Sequence, residues 1–220
     1  MGAHPEIRCL GMEEELAADV GPILVEACSH LQLAEHFRLV AVCADELPGE
    51  DNVWYGLARA GTPSRSAAVT VYCDPAAFIQ AGTNVKGVYP PTAVWEQSAA
   101  PQSKKKSSRQ VFSRVRTERV LHHHLLMVRD LVRGDLIPET VPHSLVQAFE
   151  AAWAVGVDGR LARSGWPGFP LADRRGLFSR LFAPAGILLP DHWQIFQSIW
   201  DGALTGQRDI LMVVRQLPRL

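Results

Sequence analysis

Apolar and polar positions along this chain follow two rhythms, one after the other. Leu16, Val20, Ile23, Leu24 and Ala27 recur at helical spacing behind Glu13, Glu14 and Glu15, which suit the positive end of a helix. This predicts a first helix over residues 12–31. Three stretches with β-branched or aromatic content follow at 37–44, 53–60 and 67–73, and read as strands. The turn signals at 48–52 (PGEDN) and 61–64 (GTPS) separate them. Residues 75–80 read as a short helix, and residues 92–96, behind Pro90 and Pro91, as a fourth, edge-like strand.

From Val111 onward the rhythm is helical, with helices expected near 111–133, 141–157, 171–182, 191–202 and 205–217. Gly134, Pro138, Gly159, the run 164–170 and Gly186 supply the breaks. Strands first and helices afterwards imply an α+β fold: a small, mostly antiparallel sheet packed on a helix, with additional helices C-terminal to it. The expected organisation is a single domain over 1–220. It comprises a helix-plus-sheet half at 12–98, a flexible basic loop at 99–110 and a helical half at 111–220. Neither a Gly-rich phosphate loop nor a GxSxG elbow occurs, which removes nucleotide-binding and α/β-hydrolase readings.

Composition narrows the classes further. A hydrophobic fraction of 47% and a charged fraction of 20% are ordinary for a globular protein. A net charge of −1 gives no general attraction to nucleic acid or anionic membrane. Lys104, Lys105 and Lys106 have no interleaved aromatic residues to stack bases, so they read as part of a solvated loop. No apolar run approaches the roughly 20 residues that span a bilayer. Cys9, Cys28, Cys43 and Cys73 lack CxxC spacing, which argues against a zinc knuckle or disulfide framework and for reduced thiols in the cytoplasm.

The chemistry gathers on one helix. Five of the eight histidines lie in the helical half, and His122, His123 and His124 are consecutive. On a helix, Leu121, Leu125, Val128 and Val132 form an apolar stripe expected to be buried. Glu118, His122, Arg129 and Arg133 form a polar stripe that puts His122 at the surface, paired with Glu118 one turn earlier. His123, Met127 and Asp130 make a third line, with His124 beside it. Burying histidine requires partners for its ring nitrogens, for which Glu150, Asp130, Asp158 and backbone carbonyls are the candidates.

The segment 121–130, LHHHLLMVRD, resembles the active helix of the gluzincin-type zincin metallopeptidases. In their H-E-x-x-H motif two histidines one turn apart bind zinc and the intervening Glu is the general base. The order of helix, strands, motif helix and second helix over residues 12–158 is similar too. The resemblance makes His123 the first ligand, places His124 where the base belongs, and places Met127 where the second histidine belongs. It also implies a third ligand on the next helix: Glu150, 27 residues after His123, or Asp158 as runner-up. A thioether is a soft donor that suits Cu(I) better than zinc. Asp158 with Gly159 also reads as a helix end. His143 and His192 carry no metal spacing and read as structural or surface residues.

Three functions compete. The first is a catalytically inactive zincin-like protein that binds an unknown protein or peptide, has no cofactor, and has a cleft lined by His123, His124, Met127, Asp130 and Glu150. The second is a zinc-dependent metallopeptidase or hydrolase whose variant site uses His123 with Glu150 or Asp158, and His124 as a further candidate ligand. The third is an unrelated helical interaction protein, using the aromatic residues Trp166, Phe169, Phe178, Phe182, Trp193, Phe196 and Trp200.

Overall fold

A computed structural model of the chain describes residues 5–44, 53–58, 67–81, 110–182 and 190–217. Both the expected strand at 92–96 and the basic stretch 99–109 lie outside the described residues. The chain forms two compact units, Met1–Ser29 with Ala34–Thr117, and His30–Leu33 with Glu118–Leu220.

The first unit begins with a strand that periodicity alone does not announce. β1 (Glu6–Leu10) leads into helix α1 (Glu14–His30), and β2 (Phe37–Ala44) follows. β1 and β2 pair in parallel, with Ile7 opposite Val40 and Cys9 opposite Val42. A parallel pair needs a crossover, and α1 supplies it. β3 (Val53–Ala58) and β4 (Ala67–Cys73) complete a sheet of order β1-β2-β4-β3. β4 runs parallel to β2, whereas β3 runs antiparallel to β4 at the edge.

The class is α+β, but the expected mostly antiparallel sheet is corrected: three of its four strands run parallel. The cause is topological, since β4 inserts between β2 and β3 instead of extending a meander. Val40, Val42, Val69 and Val71, register partners that share one face of the sheet, are buried. At the β1–α1 turn Gly11 has φ +63°, and a Cβ there would lie 2.4 Å from the Ala44 carbonyl oxygen. The expected short helix at 75–80 is a single 3-10 turn, Pro75–Ala77, capped by Asp74 and followed by β5 (Ile79–Ala81). β5 pairs antiparallel with β6 (Gln110–Phe112).

Helix α2 (Arg114–Arg133) carries the three histidines, and from Glu118 onward it belongs to the second unit. α3 (Val146–Arg163) is the hub of that unit, contacted by α4 (Leu171–Phe182), α5 (Pro190–Trp200) and α6 (Gln207–Gln216). Surrounded on several sides, α3 is apolar nearly all round, from Ala148 and Phe149 to Val157 and Leu161. Phe178, Phe182 and Phe196 pack together in the core, with Phe178 and Phe182 centroids 4.3 Å apart.

α3 does not end at Asp158 and Gly159. It runs to Arg163 and closes in a Schellman turn, with Gly165 at φ +70°. The Trp166 and Gly165 amides donate back to the Leu161 and Ala162 carbonyls in that turn. Gly159 serves close packing instead: a Cβ there would lie 2.2 Å from the Trp200 carbonyl oxygen of α5.

Candidate functional site

Asp158 sits about one and a half turns before the end of α3 and is fully buried. Such a carboxylate requires donors, and three elements supply them. His123 of α2 brings Nδ1 to within 3.1 Å of Oδ1. The Phe169 amide, in the loop between α3 and α4, donates to the same oxygen at 2.9 Å. Arg174, in the first turn of α4, donates from Nε to Oδ2. Gly168 lets the loop come close enough, because a Cβ there would lie 3.1 Å from Asp158 Oδ1.

A carboxylate only accepts, so the proton between His123 and Asp158 belongs to His123 Nδ1. His123 Nε2 is then the lone-pair nitrogen, and Arg174 Nη2 lies 3.4 Å from it and 3.2 Å from Nδ1. The Arg174 guanidinium also stacks over Phe169, 4.5 Å from the ring centroid, while the His123 ring meets Phe169 edge-on at 5.2 Å.

Burial lowers the His123 pKa, against the opposing pull of Asp158, and Arg174 lowers it further. Burial, then His123, then Arg174 push His124 well below its ordinary value. Burial alone would raise the Asp158 carboxyl, but His123, Arg174 and the hydrogen bonds from His123 and Phe169 outweigh it and hold the pKa down. Charge therefore balances between an Asp158 carboxylate and the Arg174 guanidinium, with a neutral His123 bonded to both.

The remaining α2 residues divide among separate partners. Asp130 is fully buried and takes both Arg160 terminal nitrogens, with Nη1 at 2.8 Å from Oδ1. His124 and Met127 are half-buried, and the His124 ring lies 5.0 Å from that of His123. Glu150 is exposed on α3, eight residues before Asp158 and so about 12 Å from it along the helix. Of the two candidates for a third ligand, Asp158 is the one that meets His123. His143 is exposed and His192 is fully buried.

His122 departs from expectation, being 1% exposed instead of lying at the surface. Its Nδ1 donates to the Glu118 backbone carbonyl at 2.8 Å. In the neutral ring Nε2 then accepts from His30 Nδ1, 3.0 Å away. Trp166 stacks on His30 with the planes 4° apart. Sequence reasoning missed His30, Trp166, Phe169, Arg160 and Arg174 as members of this cluster. For the two arginines a signal existed: an acidic residue inside an apolar helix requires a cation, and arginine is the side chain suited to buried pairing.

A His–Asp pair can orient a general base, but here the free ring nitrogen faces a guanidinium and His123 is 4% exposed. A catalytic zinc needs three protein ligands, an open position and a base. His123 spends one nitrogen on Asp158, both Asp158 oxygens are occupied by donors, and Met127 and His124 stand at the other two motif positions. As they stand, these residues do not fit a catalytic zinc. No protein-family model matches the chain, and comparison with curated proteins and with solved structures finds no match.

Proposed function

We propose that the chain is a catalytically inactive, zincin-like protein that works as a binding or scaffold module for a protein or peptide partner. One observation carries the reading: Arg174 bonds both His123 and Asp158, the groups the motif helix and its neighbour would offer a metal. The absence of the Glu and second His from the motif supports it. The cysteine spacing supports a cytoplasmic setting, and no helix among the described residues is long and apolar enough to cross a membrane.

Elemental analysis of protein purified without a histidine tag tests the reading, together with a casein-cleavage assay. The expected result is substoichiometric zinc and no cleavage that depends on metal. The 3.1 Å approach of His123 to Asp158 favours one second reading, a metallohydrolase with a variant site. Stoichiometric zinc, with cleavage that a chelator abolishes and zinc restores, would select it.

A further inference from the structure

We propose that the cavity between α3, α5 and α6 is a carboxylate-binding site that takes the C-terminal carboxylate of a peptide. Such a site serves the binding-module reading, on which only the choice of a peptide as the carboxylate's source rests.

The cavity measures about 40 Å³. A water requires about 10–15 Å³ by the same measure, so the space holds roughly three non-hydrogen atoms, the size of a carboxylate. Trp153, Gly156, Arg160 and Arg163 line it from one stripe of α3, at helical spacing. Ile199 of α5 and Ile210 of α6 close it with apolar surface.

The polar groups of the lining select the ligand. Trp153 is 3% exposed, and its indole Nε1 is buried with no hydrogen-bond partner among the described residues. An indole N–H can only donate, and leaving it unmet in the interior costs free energy, so the cavity it borders calls for an acceptor. Arg160 gives one N–H of each terminal nitrogen to Asp130, which also matches its charge, and its guanidinium carries further N–H groups beyond those two. Arg163 bonds a neutral group, the Trp200 carbonyl, so that contact leaves its positive charge unmatched. Donors, a net positive charge and room for about three atoms together suit a carboxylate, with Ile199 and Ile210 against the carbon that bears it. The same chemistry is offered by a free short-chain acid and by a peptide C-terminus. Arg163 is exposed, so the cavity reaches the surface there, and a chain leading away from the carboxylate has a way out. That opening favours the peptide.

The test titrates the ¹⁵N-labelled full chain with four probes: N-acetyl-Gly-Gly-Ala with a free C-terminus, its C-terminal amide, sodium propionate and inorganic phosphate. The chain has six tryptophans, and the indole N–H peak missing from Trp153→Phe identifies Trp153. The free-acid peptide should move that peak and the amide should not. Trp153→Phe keeps an aromatic ring but removes the donor, and should weaken binding of the free-acid peptide, read from backbone amide peaks, by about 10-fold. Gly156→Ala adds a methyl whose near neighbours are Ile199 and Ile210, which also line the cavity. By narrowing the space it should weaken the peptide by roughly 10-fold. Arg163→Gln at the exposed rim should weaken it by roughly 2–5-fold. These last two variants carry the test if Trp153→Phe does not fold.

Propionate binding as tightly as the peptide would keep the carboxylate site and overturn the peptide as its source. A Trp153 peak that no carboxylate moves overturns the site itself. So does a peak that the amide moves equally or that phosphate moves at lower concentration, or an affinity that Gly156→Ala and Arg163→Gln leave unchanged. The inactive reading fails on a different result, stoichiometric zinc with chelator-sensitive cleavage, which would not alter the indole response.

Discussion

Gly159→Ala, set beside Gly156→Ala on the same helix, tests the packing that holds Asp158 in place. Both changes exchange glycine for the best helix former, which in isolation favours the helix by about 1 kcal/mol. Their surroundings differ. A methyl at Gly156 would stand 3.4 Å from Ile199 Cγ2 and 4.0 Å from Ile210 Cδ1, ordinary contacts beside a cavity of about 40 Å³. A methyl at Gly159 would stand 2.2 Å from the Trp200 carbonyl oxygen and 3.0 Å from the Trp200 carbonyl carbon and Cα. Those atoms are backbone and cannot rotate away, so α5 must shift relative to α3 by about 1 Å. Overpacking of this kind costs about 1–3 kcal/mol and occasionally more. The shift also strains the hydrogen bond from Arg163 to the Trp200 carbonyl, of a charged type worth about 1.5–3 kcal/mol before discounting for its exposed donor. Less the helix gain, Gly159→Ala should lose about 2–4 kcal/mol and roughly 5–15 °C in thermal midpoint. Gly156→Ala should gain about 0.5–1 kcal/mol and a few degrees. Urea and thermal denaturation followed by circular dichroism measure both. A Gly159→Ala protein as stable as its parent would refute the close α3–α5 approach.

Asp158→Asn removes the charge facing Arg174, whose side chain is 12% exposed, and should cost about 3–5 kcal/mol in a urea titration. A loss under about 1 kcal/mol would mean that the cluster is not buried as described. His123 and His124 have lowered pKa values when folded, so the unfolded chain binds their protons first as pH falls. Stability should therefore drop as pH falls below about 6.5, by up to about 1.4 kcal/mol per unit for each histidine, until the folded values are reached. The Asp158 pKa is also lowered, which adds a second loss below about pH 4. Urea midpoints from pH 8 to pH 3 check both windows, and a flat profile between 6.5 and 5 would contradict the buried neutral imidazoles. Finally, His124→Glu with Met127→His, in an Arg174→Ala background, rebuilds His-Glu-Leu-Leu-His on one helix turn. It should bind zinc more tightly than Arg174→Ala alone, measured by calorimetry. Equal affinity would withdraw the zincin resemblance.

Most helices and three strands of this fold can be read from periodicity because each repeats its pattern for two turns or more, or for six or more residues. β1 escapes: five residues, EIRCL, with Glu6, Arg8 and Leu10 exposed, carry too little apolar content to announce a strand. Without β1, α1 looks like a leading helix instead of a crossover, and nothing then requires β2 to be parallel to anything. Strand order is a long-range property, and no local pattern reveals that β4 lies between β2 and β3. The site shows the same limit. His122 falls on a polar stripe, yet His30, 92 residues away in sequence, gives it a buried partner. Asp158-Gly159 carries the local signature of a helix end, but its glycine answers to Trp200 on another helix. The His123–Asp158 meeting was legible only in part: spacing limited the partners to a few acidic residues on the next helix but put Glu150 ahead of Asp158. Arg174 was not, since one arginine of the pair 174–175 looks like the other until α4 is placed.

The cluster also has a structural reason to persist that requires no catalysis. His123, Asp158 and Arg174 satisfy one another: the carboxylate has its donors, the guanidinium its acceptors and the imidazole its tautomer. Removing any one leaves a buried group uncompensated, at a cost of several kcal/mol, whereas total stability is only about 5–15 kcal/mol. Single substitutions within the cluster are thus opposed by folding alone. His124 and Met127 are half-buried, less enclosed than His123. A histidine and an aspartate standing in ligand-like positions are therefore weak evidence for catalysis in this chain. The base and second-ligand positions carry more weight, because the motif's chemistry requires a Glu and a His there, and they hold His124 and Met127 instead.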